Sequence, residues 1–109
     1  MNAANPCRGE VALTLGDERY VLRPSFGALV AAEAELGSLL ALAQEASEGG
    51  VRLEAMARLF HHCLVCESEK DRPTPETIGE RLLEDGMIEA LKAYRALLEN
   101  ALGGTAPKD

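Results

Sequence analysis

Residues 10–23 alternate in polarity on either side of a Gly-Asp pair, and no other part of the chain constrains the fold as strongly. Successive side chains of a strand point to opposite faces, so two such segments around a tight turn predict an antiparallel hairpin. Gly16-Asp17 suits a two-residue turn, because glycine accepts a positive φ at the first turn position. The predicted cross-strand pairs are Val11 with Leu22, Leu13 with Tyr20, Thr14 with Arg19 and Glu10 with Arg23.

Short helices are predicted after the hairpin, separated by proline, glycine and charged residues. Pro24 ends the second strand, and Ser25 is placed to accept a hydrogen bond from an unpaired backbone N–H of the first helix. Gly37 is placed to end that helix in a left-handed conformation, and Ser38 to cap the next one. Thr74-Pro75 is a strong helix start. The predicted helices cover residues 26–36, 39–47, 53–67, 75–85 and 87–102.

Apolar residues recur at the spacing of one helix face in four of these segments and form the expected core. A lone hairpin is barely stable in water, so its apolar face must pack on the helices. We therefore predict an α+β fold in a single domain over residues 1–109, with an N-terminal β-hairpin packed on four or five short helices and flexible ends at 1–7 and 103–109. The apolar stripes comprise Phe26, Leu29, Val30 and Leu36 in the first helix, Leu53, Met56, Phe60, Cys63 and Leu64 in the third, Ile78, Leu82 and Leu83 in the fourth, and Leu91, Tyr94, Leu98 and Leu102 in the fifth.

Composition narrows the classes of function. The chain has 109 residues and a net charge of −7, and its basic residues are scattered. Nucleic-acid binding relies on clustered Lys and Arg to neutralise phosphates, so nucleic acid is not an expected partner. No apolar run approaches the roughly 20 residues of a membrane span, so no membrane is expected either. Three cysteines without an export signal indicate reduced thiols and a cytoplasmic location.

One cluster suggests a metal or redox site, the segment His-His-Cys-Leu-Val-Cys at residues 61–66. On a continuous helix His62, Cys63 and Cys66 are close enough to reach one ion. Structural zinc takes four ligands, usually from two separate elements, and Cys63 already belongs to the apolar stripe. Core packing beside an exposed histidine pair is the favoured interpretation, so neither a metal nor another cofactor is expected. A small metal-binding or redox regulator is kept as a further hypothesis.

The sequence contains no arrangement typical of catalysis. The cysteines and histidines of residues 61–66 lie on neighbouring turns of one helix, whereas a cysteine nucleophile needs a base and an orienting group brought together in a cleft. Glu33 and Glu35 point in different directions from one helix, and Glu33 is expected at the rim of the core. No glycine-rich phosphate loop occurs. We predict that the protein is not an enzyme and has no catalytic residues.

The apolar face of the fifth predicted helix is a candidate partner-binding surface. A domain this small cannot easily cover apolar stripes on five helices and a hairpin, and a leftover patch would bind a partner or a second copy of the chain. The alternative is that the stripes simply close one core. The candidate residues are Leu91, Tyr94, Leu98 and Leu102.

Residues 5–42 carry three segments that matter for family assignment: Asn-Pro-Cys-Arg-Gly-Glu-Val-Ala-Leu-Thr-Leu, Leu-Arg-Pro-Ser-Phe-Gly-Ala-Leu and Ala-Glu-Leu-Gly-Ser-Leu-Leu-Ala-Leu. Later come a glycine-rich break at 49–50, a Thr-Pro-Glu helix start at 74–76 and Asp-Gly at 85–86. Together they resemble the tail-assembly chaperone family of gene transfer agents and related prophages. These are small proteins encoded between tail genes. The His-His-Cys stretch has no counterpart in that resemblance.

The resemblance implies a non-enzymatic role in virion morphogenesis. Proteins of that family are thought to coat the long tape-measure protein before the tail tube polymerises around it, and then to leave. The leading hypothesis is thus a tail-assembly chaperone that binds the tape-measure protein or another tail protein. The alternative is a structural tail component that stays in the particle. The apolar groove needed to hold an amphipathic helix is compatible with the predicted fold.

Overall fold

A two-stranded hairpin followed by five α-helices makes up the described part of the protein, which in this computed structural model is residues 9–66, 68–85 and 87–103. This confirms the predicted α+β class. Gly103 is the last residue of α5, so the predicted flexible end at 103–109 is wrong for that residue. The rest of that end, 104–109, and the predicted end at 1–7 lie outside the described residues. The elements are β1 Val11–Leu15, β2 Glu18–Leu22, α1 Phe26–Leu36, α2 Leu39–Ser47, α3 Leu53–Cys63, α4 Pro75–Asp85 and α5 Met87–Gly103, with a 3₁₀ turn at Glu69–Asp71.

The hairpin has the predicted register. Leu13 pairs with Tyr20 and Val11 with Leu22, and Gly16 has a φ of 62° in the turn between the strands. Among the described residues only glycines have positive φ, so Gly16 at the first turn position makes this a type II′ turn. At the open end of the hairpin Arg23 Nε lies 2.8 Å from Glu10 Oε2, and the Glu10 side chain is buried. Turn chemistry and alternation therefore agree with the tertiary structure.

Helix α3 ends at Cys63, so the predicted extension to Glu67 is wrong. Leu64 leaves the helical conformation and forms an antiparallel bridge with Leu22. Arg23 N donates to Cys63 O at 2.7 Å, and Val65 N donates to Val21 O at 2.8 Å. Pairing with the outer edge of β2 satisfies these backbone groups in place of another helical turn. The sheet thus gains a short third segment that covers one edge.

Helix α1 buries only part of the predicted stripe, because Leu29 and Leu36 are partly buried against the core while Phe26 and Val30 are not. Ala32 is its fully buried residue, whereas Phe26 is 85% exposed and Val30 is 49% exposed. The helix packs mainly on α3. The apolar face that carries Phe26 and Val30 consequently lies on the surface. A similar correction applies to α4, where Ile78 and Leu82 are buried but Leu83 is 63% exposed.

The α1–α2 junction is built by capping groups. The Ser25 and Ser38 hydroxyls accept hydrogen bonds from Ala28 N and Ala41 N, as predicted, and the Glu33 carboxylate accepts one from Leu39 N at 3.1 Å. Gly37 has the expected positive φ of 87°, but its ψ of −160° lies outside the left-handed helical region.

Among the described residues no single helix is long and apolar enough to span a membrane, while α1 and α2 pass that test of length and composition only as a pair bent by 75°.

The core lies between the inner face of the hairpin, α3 and α5. Helix α3 packs against α1 and α4, and α5 packs against α2 and β1. The rings of Phe60 and Tyr94 meet edge to face at a centroid distance of 6.2 Å, which is a favourable aromatic geometry. Gly79 of α4 sits where an added Cβ would be 3.8 Å from the Ala57 Cβ, so α3 and α4 also cross closely. The largest buried side chains include Met56, Leu59, Leu64, Ile78, Leu82 and Leu97.

Candidate partner-binding surfaces

The four candidate residues on α5 occupy three different environments. Tyr94 and Leu98 are buried in the core, with exposed fractions of 1% and 2%. Leu91 is partly buried against the core, and Leu102 is 43% exposed. A partner can therefore reach Leu102 directly, while Tyr94 contributes to the fold in this structure. Binding by this face stays a prediction.

A shallow apolar groove runs between α2 and α5. Its volume is about 400 Å³, and Leu98 and Leu102 line the α5 side. The Arg95 side chain reaches from α5 to α2, where its guanidinium donates to Ala46 O at 3.3 Å near the end of α2. The remaining lining residues are Ala43, Ala46, Ser47 and Glu99. Small side chains on α2 and leucines on α5 leave room for a few apolar side chains of another protein.

A second groove, between α3 and α4, has an apolar floor and charged margins. Leu53, Ala57 and Leu83 line it, and its volume is about 460 Å³. Arg58 on one margin also bonds Glu54 Oε2 at 3.1 Å, which is an exposed pair one helical turn apart. The exposed Leu83 is therefore part of a concave surface. No local pattern in the sequence predicts this groove, because it depends on how closely α3 and α4 cross.

A third groove follows the outer side of β1. Its volume is about 460 Å³, and residues of β1 form one wall. Leu82 and Ala90 form the facing wall, with Glu89 as the charged residue beside them. The lining from the hairpin is Ala12, Leu13, Thr14, Leu15 and Gly16. Within the described ranges no segment pairs with this edge of β1, so the groove places strand backbone next to an apolar floor.

The His-Cys stretch takes part in packing and hydrogen bonding. His61 Nδ1 donates to Pro73 O at 2.8 Å, and His62 Nε2 lies 2.8 Å from Glu35 Oε1. Cys63 is buried, and burial raises the pKa of its thiol to about 12, which keeps it protonated at neutral pH. Cys66 lies beyond the end of α3, so the one-helix geometry assumed for it is wrong. No group of three or more metal-ligating side chains occurs within the described residues, and Cys7 lies outside them.

The carboxylates of α1 have separate structural partners. Glu33 accepts from the α2 backbone, as described above, and so sits at the junction of two helices. Glu35 accepts from His62 and lies 3.5 Å from Arg58 Nη1. The hydrogen bond from His62 lowers the pKa of the Glu35 carboxyl. These two carboxylates do not face each other across a cleft, so they do not form an acid–base pair.

A comparison with protein families bears directly on these surfaces. The family model described as "Phage tail tube protein, GTA-gp10" matches residues 8–104, which is nearly the whole chain. The chain belongs to this family. The family consists of phage and gene-transfer-agent tail proteins, which agrees with the resemblance found in the sequence. The family's description does not specify an assembly chaperone. No curated protein and no solved structure matches the chain.

Membership in a tail protein family gives the exposed apolar residues a context. Tail proteins act by contacting other proteins, so grooves and apolar patches are the relevant features of this member. Large apolar residues exposed on this tail protein are Phe26, Val30, Leu40, Val65, Leu83, Ile88 and Leu102. They lie on α1, α2, α4, α5 and the segment after α3, and so belong to several surfaces.

Proposed function

We propose that this tail protein is a non-enzymatic structural component of a phage-like tail, held there by contacts with other tail proteins. The observation that carries the proposal is the match of residues 8–104 to a family described as phage tail tube proteins. The site geometry supports a binding role, because the surfaces described above are apolar grooves bordered by charged residues. Such grooves are suited to the side chains of another protein.

The distribution of exposed apolar residues supports a repeated or multi-partner contact. Phe26 and Val30 are four residues apart and share one face of α1, whereas Leu83 and Ile88 lie on α4 and α5. A subunit that contacts neighbours within a ring or stack needs two different complementary surfaces. Exposed apolar residues on α1 and also on α4 and α5 fit that need better than exposed apolar residues on one helix alone.

A second candidate function is the assembly chaperone of the tape-measure protein. The α2–α5 groove favours it, because its apolar lining from Ala43, Leu98 and Leu102 would hold an amphipathic helix. The margin residues Arg95 and Glu99 could contact the polar side of such a helix. A chaperone would bind during assembly and then leave, whereas a structural component stays.

Purified particles separate these two functions. Particles from the organism that encodes the chain would be banded on a density gradient, washed in high salt and probed with an antibody raised against this chain. A structural component is expected to remain at a constant ratio to the other tail proteins across the particle peak. A chaperone would instead be absent from the peak and would be recovered from lysates bound to the tape-measure protein. Absence from particles together with no tail-protein complex in lysates would contradict both functions.

A further inference from the structure

The small sheet has one covered edge and one open edge. On the β2 side, Val21 O accepts from Val65 N, and Arg23 N donates to Cys63 O. These bonds place the segment after α3 along the outer edge of β2. Within the described residues no corresponding segment pairs with the outer edge of β1. Open strand edges are sites where another chain can add a strand.

The register identifies the backbone groups that face the open edge. In an antiparallel ladder, successive residues alternate between hydrogen bonding to the partner strand and pointing away from it. Val21 directs its carbonyl away from β1, toward Val65, so its cross-strand partner Ala12 points its own N–H and C=O away from β2. Thr14, two residues along, does the same. Ala12 and Thr14 thus present two donors and two acceptors to the β1 groove.

The β1 groove has the shape and chemistry for an extended segment. It runs along β1 from Ala12 to Leu15, and Leu82 and Ala90 provide an apolar floor on which alternate side chains can pack. Its charged lining residue is Glu89, whose Oε2 atom lies 3.6 Å from Lys92 Nζ in an exposed pair. An exposed pair of this kind is weak, so Glu89 is able to pair with a cation on a bound segment.

We propose that the free edge of β1 takes up one extended segment of a partner tail protein, which adds to the sheet as a further strand. The segment has about five residues, matching β1, with apolar side chains toward Leu82 and a Lys or Arg near Glu89. A basic partner is favoured over a second copy because each copy carries a net charge of −7, and like charges repel. This inference rests on the proposed function and names the site and mode of binding.

The substitution Ala12→Pro tests the backbone contact. Proline removes the outward N–H of Ala12 but no hydrogen bond of the β1–β2 ladder, and proline is tolerated on edge strands. The matched control is Ala12→Ser, which keeps the N–H. Binding to the purified tail proteins encoded beside this chain would be measured one at a time by calorimetry. Ala12→Pro is expected to weaken binding at least tenfold, and Ala12→Ser is expected to leave it unchanged.

Two further measurements keep the inference testable if the proline variant is destabilised. Amide hydrogen exchange of Ala12 and Thr14 in the unmodified protein is expected to be fast when free and slow in the complex. Glu89→Gln is expected to weaken binding about two- to fivefold, as for an exposed ion pair. Glu48→Gln, at an exposed carboxylate after α2 that lines none of the three grooves, is the matched control and is expected to have no effect.

The outcomes that would contradict strand addition can be told apart from those that would contradict the proposed function. A folded Ala12→Pro variant that binds as tightly as the unmodified protein, or unprotected Ala12 and Thr14 amides in the complex, would overturn strand addition and leave the proposed function standing. A dimer of the unmodified protein that Ala12→Pro converts to a monomer would assign the edge to a second copy and also overturn the inference. Failure of the unmodified protein both to bind any tail protein and to remain in particles would overturn the proposed function with it.

Discussion

Neighbouring residues of β1 lie in opposite environments, and single substitutions should separate them. Leu13 is 3% exposed and faces the core, whereas Thr14 is exposed on the other face of the hairpin. We expect Leu13→Ala to lower the free energy of unfolding by about 2–4 kcal/mol, as large-to-small core changes do. Thr14→Ala, the matched control, should change it by less than about 0.5 kcal/mol. Equal losses in chemical denaturation would contradict the register.

The two described thiols should differ in reactivity for a similar reason. Burial raises the pKa of Cys63 to about 12, so almost no thiolate forms at pH 8, and the side chain is shielded from reagents. Cys66 is partly exposed. In a Cys7→Ser background, a thiol reagent should label Cys66 in the native protein and Cys63 only on unfolding. Labelling of both at one rate would show that the end of α3 opens readily.

Among the elements, those with local signals were predictable from the sequence. The hairpin register, the Ser25 and Ser38 caps and the start of α4 at Pro75 all depend on residues close together in the chain. The end of α3 was not predictable, because Leu64 leaves the helix to pair with Leu22, forty-two positions earlier. The spacing of apolar residues around Leu64 is that of a continuing helix and does not indicate that contact. The orientation of α1 was missed for the same reason, since it depends on packing against α3.

The end of α3 also depends on one arginine from the following loop. Arg72 Nη1 donates to His61 O at 2.7 Å and to Leu64 O at 2.6 Å, and a cation is favourable beside the carbonyls at a helix C-terminus. Arg72→Met, which keeps the apolar stem, should lower the free energy of unfolding by about 1–3 kcal/mol.

The matched control for that substitution is Arg81→Met. Arg81 makes a long, exposed contact of 3.9 Å with Glu18, so the cost should stay below about 1 kcal/mol. Both variants would be compared by urea denaturation monitored by circular dichroism. A loss for Arg72→Met no larger than that for Arg81→Met would show that the loop does not hold the end of α3.

For the whole molecule, the class of protein could be predicted from the sequence more fully than its candidate partner-binding surfaces. The segments of residues 5–42 pointed to a tail protein of gene transfer agents, and the family match confirms that coarser assignment. The apolar face of α5 could not be divided by sequence into core and surface, because Tyr94 and Leu102 have the same helical spacing but opposite exposure. The β1 groove was missed because it arises where α4 and α5 pass the hairpin.

Deletion of the gene for this chain, followed by electron microscopy of the particles, tests the tail role most directly. If the protein takes part in building a phage-like tail, the deletion strain should produce heads without tails, or with aberrant tails. Expression of the unmodified chain in trans should restore normal tails. Tails of normal number, length and appearance in the deletion strain would contradict that role.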